Sequence, residues 1–259
     1  MAQAERLQKV LSQFGIASRR QAEVMIAQGQ VQVNGERAHL GQKVDLDQDA
    51  IEVNGQRLRS QLEQRCYILL NKPLGVVSTC ADPRGRPTVL DLLPLELQRG
   101  QGIHPVGRLD QNSTGALLLT NDGALTYRLT HPKHQITKTY RVWVKGEPDV
   151  TTLERWRQGV TLEGRKTLPA RVVVVSPMPA FPVQRPAYRQ LMTCLEISMT
   201  EGRNRQIRRL AAGFGCPVIH LHRMKIGKIS LKGLERGGNK NQKRWRYLKL
   251  AEIRYLNNV

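Results

Sequence analysis

Gly107-Arg108-Leu109-Asp110-Gln111-Asn112-Ser113-Thr114-Gly115 sets one carboxylate beside an arginine, in a glycine-bounded stretch of small polar residues. An unbroken apolar run, Ala116-Leu117-Leu118-Leu119, follows it, and Asn121-Asp122-Gly123 closes the run. That pattern predicts a buried strand. Asp110 would therefore ride on a loop fixed by a core element, a common placement for chemistry. The same residues also suit an aspartate that only turns or caps its loop, and residue types alone leave both readings open.

The surrounding chain sets limits on the partner. Its 259 residues suffice for one large domain or a small and a medium one. Against 21 Asp and Glu stand 41 Lys and Arg, a formal net charge of +20, which points to a polyanion. A basic membrane-surface protein would need an amphipathic helix with a bulky apolar face or a lipid anchor, and neither is evident. The first residues lack an apolar signal core, and no stretch approaches a membrane span, so a cytoplasmic location is expected. Cys66, Cys80, Cys194 and Cys216 are widely spaced without a CxxC pair, which fits a reducing compartment. His220-x-His222 and His131-x-x-His134 lack a Cys or carboxylate partner at suitable spacing. They are read as polar surface or RNA contacts, and no metal is expected.

Two short helices open the chain. Leu7, Val10, Leu11 and Phe14 share a face that ends at Gly15, and Ser18-Arg19-Arg20-Gln21 has the form of a capping box before Ala22, Met25 and Ile26. Arg19 and Arg20 would then sit at a helix N-terminus, where backbone N–H groups already favour phosphate; a solvated helix start is the plainer alternative. Val31-Gln32-Val33-Asn34-Gly35 and Ile51-Glu52-Val53-Asn54-Gly55 read as strands ending in hairpin turns. In order and spacing, residues 6–35 resemble the αL RNA-binding module first seen in a small-subunit ribosomal protein. That resemblance implies binding of structured RNA by shape and phosphates.

The remaining motifs extend the resemblance. His104 through Gly123, with its Gly-Arg-Leu-Asp core and later Thr-Asn-Asp-Gly, resembles the signature of RNA pseudouridine synthases, in particular the RsuA-type ribosomal RNA branch. Lys138-Thr139-Tyr140 and Glu201-Gly202-Arg203-Asn204-Arg205-Gln206-Ile207-Arg208-Arg209 follow in the family's order. The resemblance implies an enzyme that breaks a uridine's glycosidic bond, rotates the base and rejoins it through carbon 5, without a cofactor. It maps Asp110 to the nucleophile, attacking sugar or base. A nucleophile away from water needs a nearby cation to stay charged, and the motif assigns that place to Arg208. Tyr140 is expected to stack on the target base and assist proton removal, although an ordinary core tyrosine would look the same. Arg108 is expected to hold opened RNA or contact phosphate. Arg203, Arg205 and Arg209 are read as phosphate contacts. Lys72-Pro73 is read as a strand-to-turn transition, structural and beside the site.

The expected architecture is α+β. An αL module over residues 1–60 and a linker at 61–66 precede a catalytic domain at 67–259, built on a mixed, largely antiparallel sheet with flanking helices. The proline-rich stretch 176–186 reads as a loop insertion, and 237–244 as a basic loop. Ala116 stands where the family carries a bulkier apolar residue, a matter of packing. The expected partner is ribosomal RNA or a pre-ribosomal particle, bound by a monomer. The 201–205 segment leans toward the large-subunit enzymes, with small-subunit RNA as the alternative. A non-catalytic ribosome-assembly factor on the same fold is the rival of another class.

Overall fold

The computed structural model describes residues 4–58, 65–98, 101–179, 192–234 and 244–259. Most of the expected linker at 61–66, of the 176–186 loop and of the 237–244 loop lies outside the described residues. The chain clusters into two compact units: Met1–Tyr67 with Leu90–His104 and Leu119–Gly123, and Ile68–Val89 with Pro105–Leu118 and Ala124–Val259.

In the first unit the chain runs β1 (Glu5–Arg6), α1 (Leu7–Gln13), α2 (Arg19–Ala27), β2 (Val31–Val33), β3 (Glu36–Arg37), β4 (Lys43–Val44), β5 (Ile51–Val53) and β6 (Gln56–Arg57). Leu7, Val10 and Leu11 of α1 meet Ala22 and Ile26 of α2 over Val31, Val33, Ile51 and Val53 in one buried core. Helical spacing on two segments and alternation on two others supply this core, as the sequence predicts. Ser18 caps α2, its Oγ accepting from the Gln21 amide at 3.2 Å, so Arg19 and Arg20 begin the helix with both side chains exposed. Asn34 and Asn54 take φ of +55° and +49°, the left-handed backbone that a tight hairpin requires. β2 and β5 pair antiparallel at the centre of the four-stranded sheet β3-β2-β5-β6.

The chain continues through β7 (Tyr67–Lys72), α3 (Leu95–Gln98), β8 (His104–Val106), β9 (Thr114–Thr120), α4 (Gly123–Thr130), β10 (Lys138–Lys145) and α5 (Val150–Gln158). Then come β11 (Thr161–Leu162), β12 (Arg165–Lys166), β13 (Arg171–Val174), β14 (Met192–Met199), α6 (Gln206–Gly213), β15 (Val218–Ile226), β16 (Ile229–Ser230), β17 (Trp245–Tyr247) and α7 (Leu250–Asn257). The main sheet runs β13-β14-β10-β15-β9-β7-β17, with β8 on β9 and β16 on β15. β10 pairs antiparallel with both β14 and β15, whereas β9 and β15 are parallel, matching Thr114 to His222 and Gly115 to Arg223. The sheet is thus mixed and largely antiparallel. The apolar run after the acidic loop is a buried strand: Ala116, Leu117, Leu118 and Leu119 are at most 2% exposed.

Candidate active site

The acidic loop is fastened to the segment that leaves β7. Lys72, wholly buried at the end of that strand, donates through Nζ to the carbonyls of Pro73 and Ser113, each at 2.9 Å. Ser78 Oγ donates to the Leu109 carbonyl at 2.9 Å and accepts from the Leu109 amide at 3.1 Å. The Gly75 amide donates to the Gln111 carbonyl at 2.9 Å, and Gln111 Nε2 returns a bond to the Gly75 carbonyl at 3.1 Å. Each such bond contributes about 1 kcal/mol, and together they fix both sides of Asp110 before any ligand arrives. The break at Pro73 is what turns the chain so that 73–79 can lie along the loop.

The other side of the site comes from the start of α6. Arg205 Nη1 lies 3.3 Å from Asp110 Oδ2 and 3.5 Å from Asn112 Oδ1. Arg208 Nε lies 3.7 Å from the same Oδ2, close enough for an ion pair and too long for a hydrogen bond. Its Nη2 donates to the Asn112 carbonyl at 2.7 Å and to Ser113 Oγ at 3.0 Å. Arg205 is the N-cap of α6 with φ +49°, a left-handed conformation disfavoured for a side chain of this kind. That turn aims Arg205 and, one helical turn on, Arg208 at one carboxylate. Burial pulls the Arg208 guanidinium below its usual range, Arg205 adds to the effect, and Asp110 opposes it. For Lys72 burial is again the main cause, lowering the ammonium to about 8 against the field of Asp110 and with that of Arg223.

Asp110, Arg108, Tyr140, Arg203, Arg205 and Arg208 all line one cavity of about 840 Å³, together with Lys138, Ile207 and Arg223. Tyr140 stands on β10 opposite Arg223 of β15 and is only 8% exposed. Three carboxylates line it; Asp82 pairs with Arg86 and Glu201 with Arg203, which leaves Asp110 among Arg108, Lys138, Arg205, Arg208 and Arg223, a lining that suits an anionic polymer.

Comparison with known proteins bears on the same residues. The family model described as RNA pseudouridylate synthase matches residues 66–213, and the S4 domain model matches residues 5–51. The chain belongs to the RNA pseudouridylate synthase family. A Bacillus subtilis (strain 168) protein named ribosomal large subunit pseudouridine synthase B is 42% identical over 234 residues, covering 90% of each chain. An Aquifex aeolicus (strain VF5) protein named as an uncharacterized RNA pseudouridine synthase is 38% identical over 253 residues, 97% of this chain and 93% of that one. A crystal structure titled pseudouridylate synthase aligns with a TM-score of 0.64 at 30% identity over 97% of this chain and 99% of the other.

Within this synthase the structure redistributes the arginines of the 201–209 motif. Arg205, read as a phosphate contact, is on Asp110 beside Arg208. Arg203 donates to the carbonyls of Arg165 at 3.0 Å and Lys166 at 2.6 Å and pairs with Glu201; Arg209 pairs with Glu163. Those two guanidiniums hold the β11–β12 hairpin against the motif, with Glu201 Oε1 accepting from the Leu168 amide at 2.9 Å. Both side chains are engaged in these intramolecular pairings. Arg86, in the basic turn, forms a bidentate pair with Asp82 at 3.0 and 2.7 Å, which holds the Asp82 carboxyl far below the usual range.

The histidines of β15 also differ from their reading as polar surface or RNA contacts. His220 is 5% exposed, and Thr114 Oγ1 lies 3.1 Å from His220 Nε2 and 2.8 Å from His222 Nδ1. Burial lowers both imidazoles to about 4; His222 and Arg208 add to the effect on His220, and Arg141 to that on His222. Below their ordinary value of 6.5 the unfolded chain takes up protons that the folded synthase refuses. Stability is therefore full above about pH 6.5 and declines toward pH 4. Urea unfolding is expected to show a loss of at least about 2 kcal/mol between about pH 7 and pH 5, shallower in His220→Asn. A flat profile over that range would remove the buried neutral pair from the account.

Proposed function

We propose that this synthase isomerises a specific uridine of large-subunit ribosomal RNA to pseudouridine, with Asp110 as the nucleophile. The observation that carries this is the grip on Asp110. Arg205 and Arg208 both meet Oδ2, and no described residue bonds Oδ1, which is left to face a substrate in the cavity. Two guanidiniums orient the carboxylate and lie beside its charge, which is what a nucleophile requires. The C1′–N1 bond breaks, the base turns within the cavity, C1′–C5 forms, the C5 proton leaves and N1 gains one. Tyr140, in the cavity wall, stacks on the base and assists at carbon 5. Arg108 holds the opened strand, since a base stacked in a duplex cannot reach such a cavity. The large-subunit assignment rests on the name of the Bacillus subtilis relative, and it agrees with the residues of the 201–205 motif. We further propose that the chain acts as a cytoplasmic monomer without a cofactor, and that the module at 1–60 supplies RNA affinity.

The test is release of tritium from carbon-5-labelled uridine in unmodified ribosomal RNA. Stoichiometric release from large-subunit RNA, with a single pseudouridine mapped afterwards, is the expected result. Tight binding with no release from either subunit's RNA, or from precursor particles, would favour an assembly factor instead.

The charge excess gives a separate expectation. Arg19 and Arg20 are exposed at the capped start of α2. Replacing both with Ala should weaken RNA binding about tenfold near physiological salt and make the log–log salt slope shallower by about 2. The single-turnover rate at saturating RNA should stay unchanged. An unaltered slope would take the pair out of the RNA interface.

A further inference from the structure

Arg223 is the feature of the cavity that the arrangement around Asp110 leaves unexplained. It is 5% exposed, on β15, with register partners Tyr140 on β10 and Gly115 on β9. Its Nε donates to the Ala116 carbonyl at 2.6 Å, which fixes the plane of the guanidinium. Nη2 is sealed from solvent and has no hydrogen-bond partner, and no carboxylate pairs with Arg223 among the described residues. A buried guanidinium with neither a counter-charge nor a full set of acceptors is unfavourable, so a fold keeps one chiefly where a ligand completes it. The ligand side is defined as well: Arg223 forms part of the cavity wall with Asp110 and Tyr140. Two further ammonium groups feel it directly, since Arg223 contributes to lowering both Lys72 and Lys138 after burial. With Asp82 paired to Arg86 and Glu201 to Arg203, the cavity wall sets Arg108, Lys138, Arg205, Arg208 and Arg223 against Asp110 alone.

Resting on the isomerase reading, we propose that Arg223 is a catalytic residue that carries the negative charge of the uracil while it is detached from the sugar. When C1′–N1 breaks, the electron pair leaves with N1 and spreads over O2 and O4 of the base. A guanidinium in the cavity wall, its plane set by the Ala116 carbonyl, is matched to the charge that develops on one of those oxygens. Rejoining through C5 returns the pair to a C–C bond as the C5 proton departs and N1 is protonated, so Arg223 ends unchanged. Its register opposite Tyr140 puts both side chains on one face of the sheet, the tyrosine to stack on the base and the guanidinium to meet its edge.

The experiment compares wild type, Arg223→Gln and Arg223→Lys on two RNAs, one with uridine and one with 5-fluorouridine at the target. Fluorine makes the departing base a weaker base, so it needs less help from a cation. Because 5-fluorouridine has no C5 proton to lose, the event followed on both RNAs is loss of the N1-linked nucleoside, read by chromatography in single turnovers at saturating RNA, alongside RNA affinity and melting curves. Arg223→Gln is expected to slow the uridine reaction on the order of 10²- to 10³-fold and the 5-fluorouridine reaction by much less. Arg223→Lys, which keeps the charge, should recover part of the loss. Equal slowing on both RNAs would overturn the proposal in favour of a packing role. Reduced affinity with an unchanged rate would overturn it in favour of a phosphate contact. Wild type inactive on both RNAs would instead refute the isomerase reading, and the proposal with it.

Discussion

Asp110→Asn is expected to abolish pseudouridine formation, with a rate loss of about 10⁴-fold or more, while RNA affinity stays near that of wild type. Asparagine keeps the size of the side chain and an oxygen for Arg205 to donate to, so the loop retains its shape. What it removes is the one carboxylate that lines the cavity within reach of both Arg205 and Arg208. The effect on stability should be smaller and of definite sign. Arg208 has a side chain only 10% exposed and loses its counter-charge, a change that destabilises by about 1–2 kcal/mol when the partner carboxylate is itself one-third open to water. Tritium release and a urea melt on the same preparation separate the two effects. Activity within tenfold of wild type would rule out Asp110 as the nucleophile.

The grip on that carboxylate was only partly legible in the sequence. Asp110 and Arg208 are placed together by the order of their motifs, which is information about a family rather than about spacing. Arg205 could not be assigned, because its approach to Asp110 depends on a left-handed backbone at an arginine, and neither propensity nor periodicity signals that conformation. The same limit explains Arg203 and Arg209. A run of basic residues is visible as charge, but which side each takes is decided by the β11–β12 hairpin that the turn has to hold. Local signals did better where one residue's chemistry suffices: the Ser18 cap, the Asn-Gly hairpins, the break at Pro73 and the buried run after Gly115 all form where expected. Asn121-Asp122-Gly123 closes the apolar run as its residue types indicate, and Gly123 also opens α4, which that punctuation does not signal. The direction of β9 against β15 is a matter of topology, and no local pattern carries it.

Gly115 joins these levels, and its replacement should have the second-largest effect. In the sequence it closes the acidic loop and reads as a turn residue. In the fold it adopts φ +109° beside β15, where a Cβ would lie 2.6 Å from the Arg223 nitrogen and closer still to its carbonyl oxygen. Those are backbone atoms of the paired strand, so no side chain can rotate away to make room. Gly115→Ala must therefore separate β9 from β15 at the point where Arg223 donates to the Ala116 carbonyl and where Lys72 holds the Ser113 carbonyl. We expect a destabilisation of roughly 3 kcal/mol or more, combining a strained left-handed conformation with a steric conflict that only strand displacement relieves. Activity should fall further than stability, because Asp110 and the residues facing it across the cavity are carried by the two strands being forced apart. Melting curves and single-turnover rates measured below the transition test this. A well-folded Gly115→Ala protein of near-normal rate would mean that the close approach of the two strands is not what positions the acid.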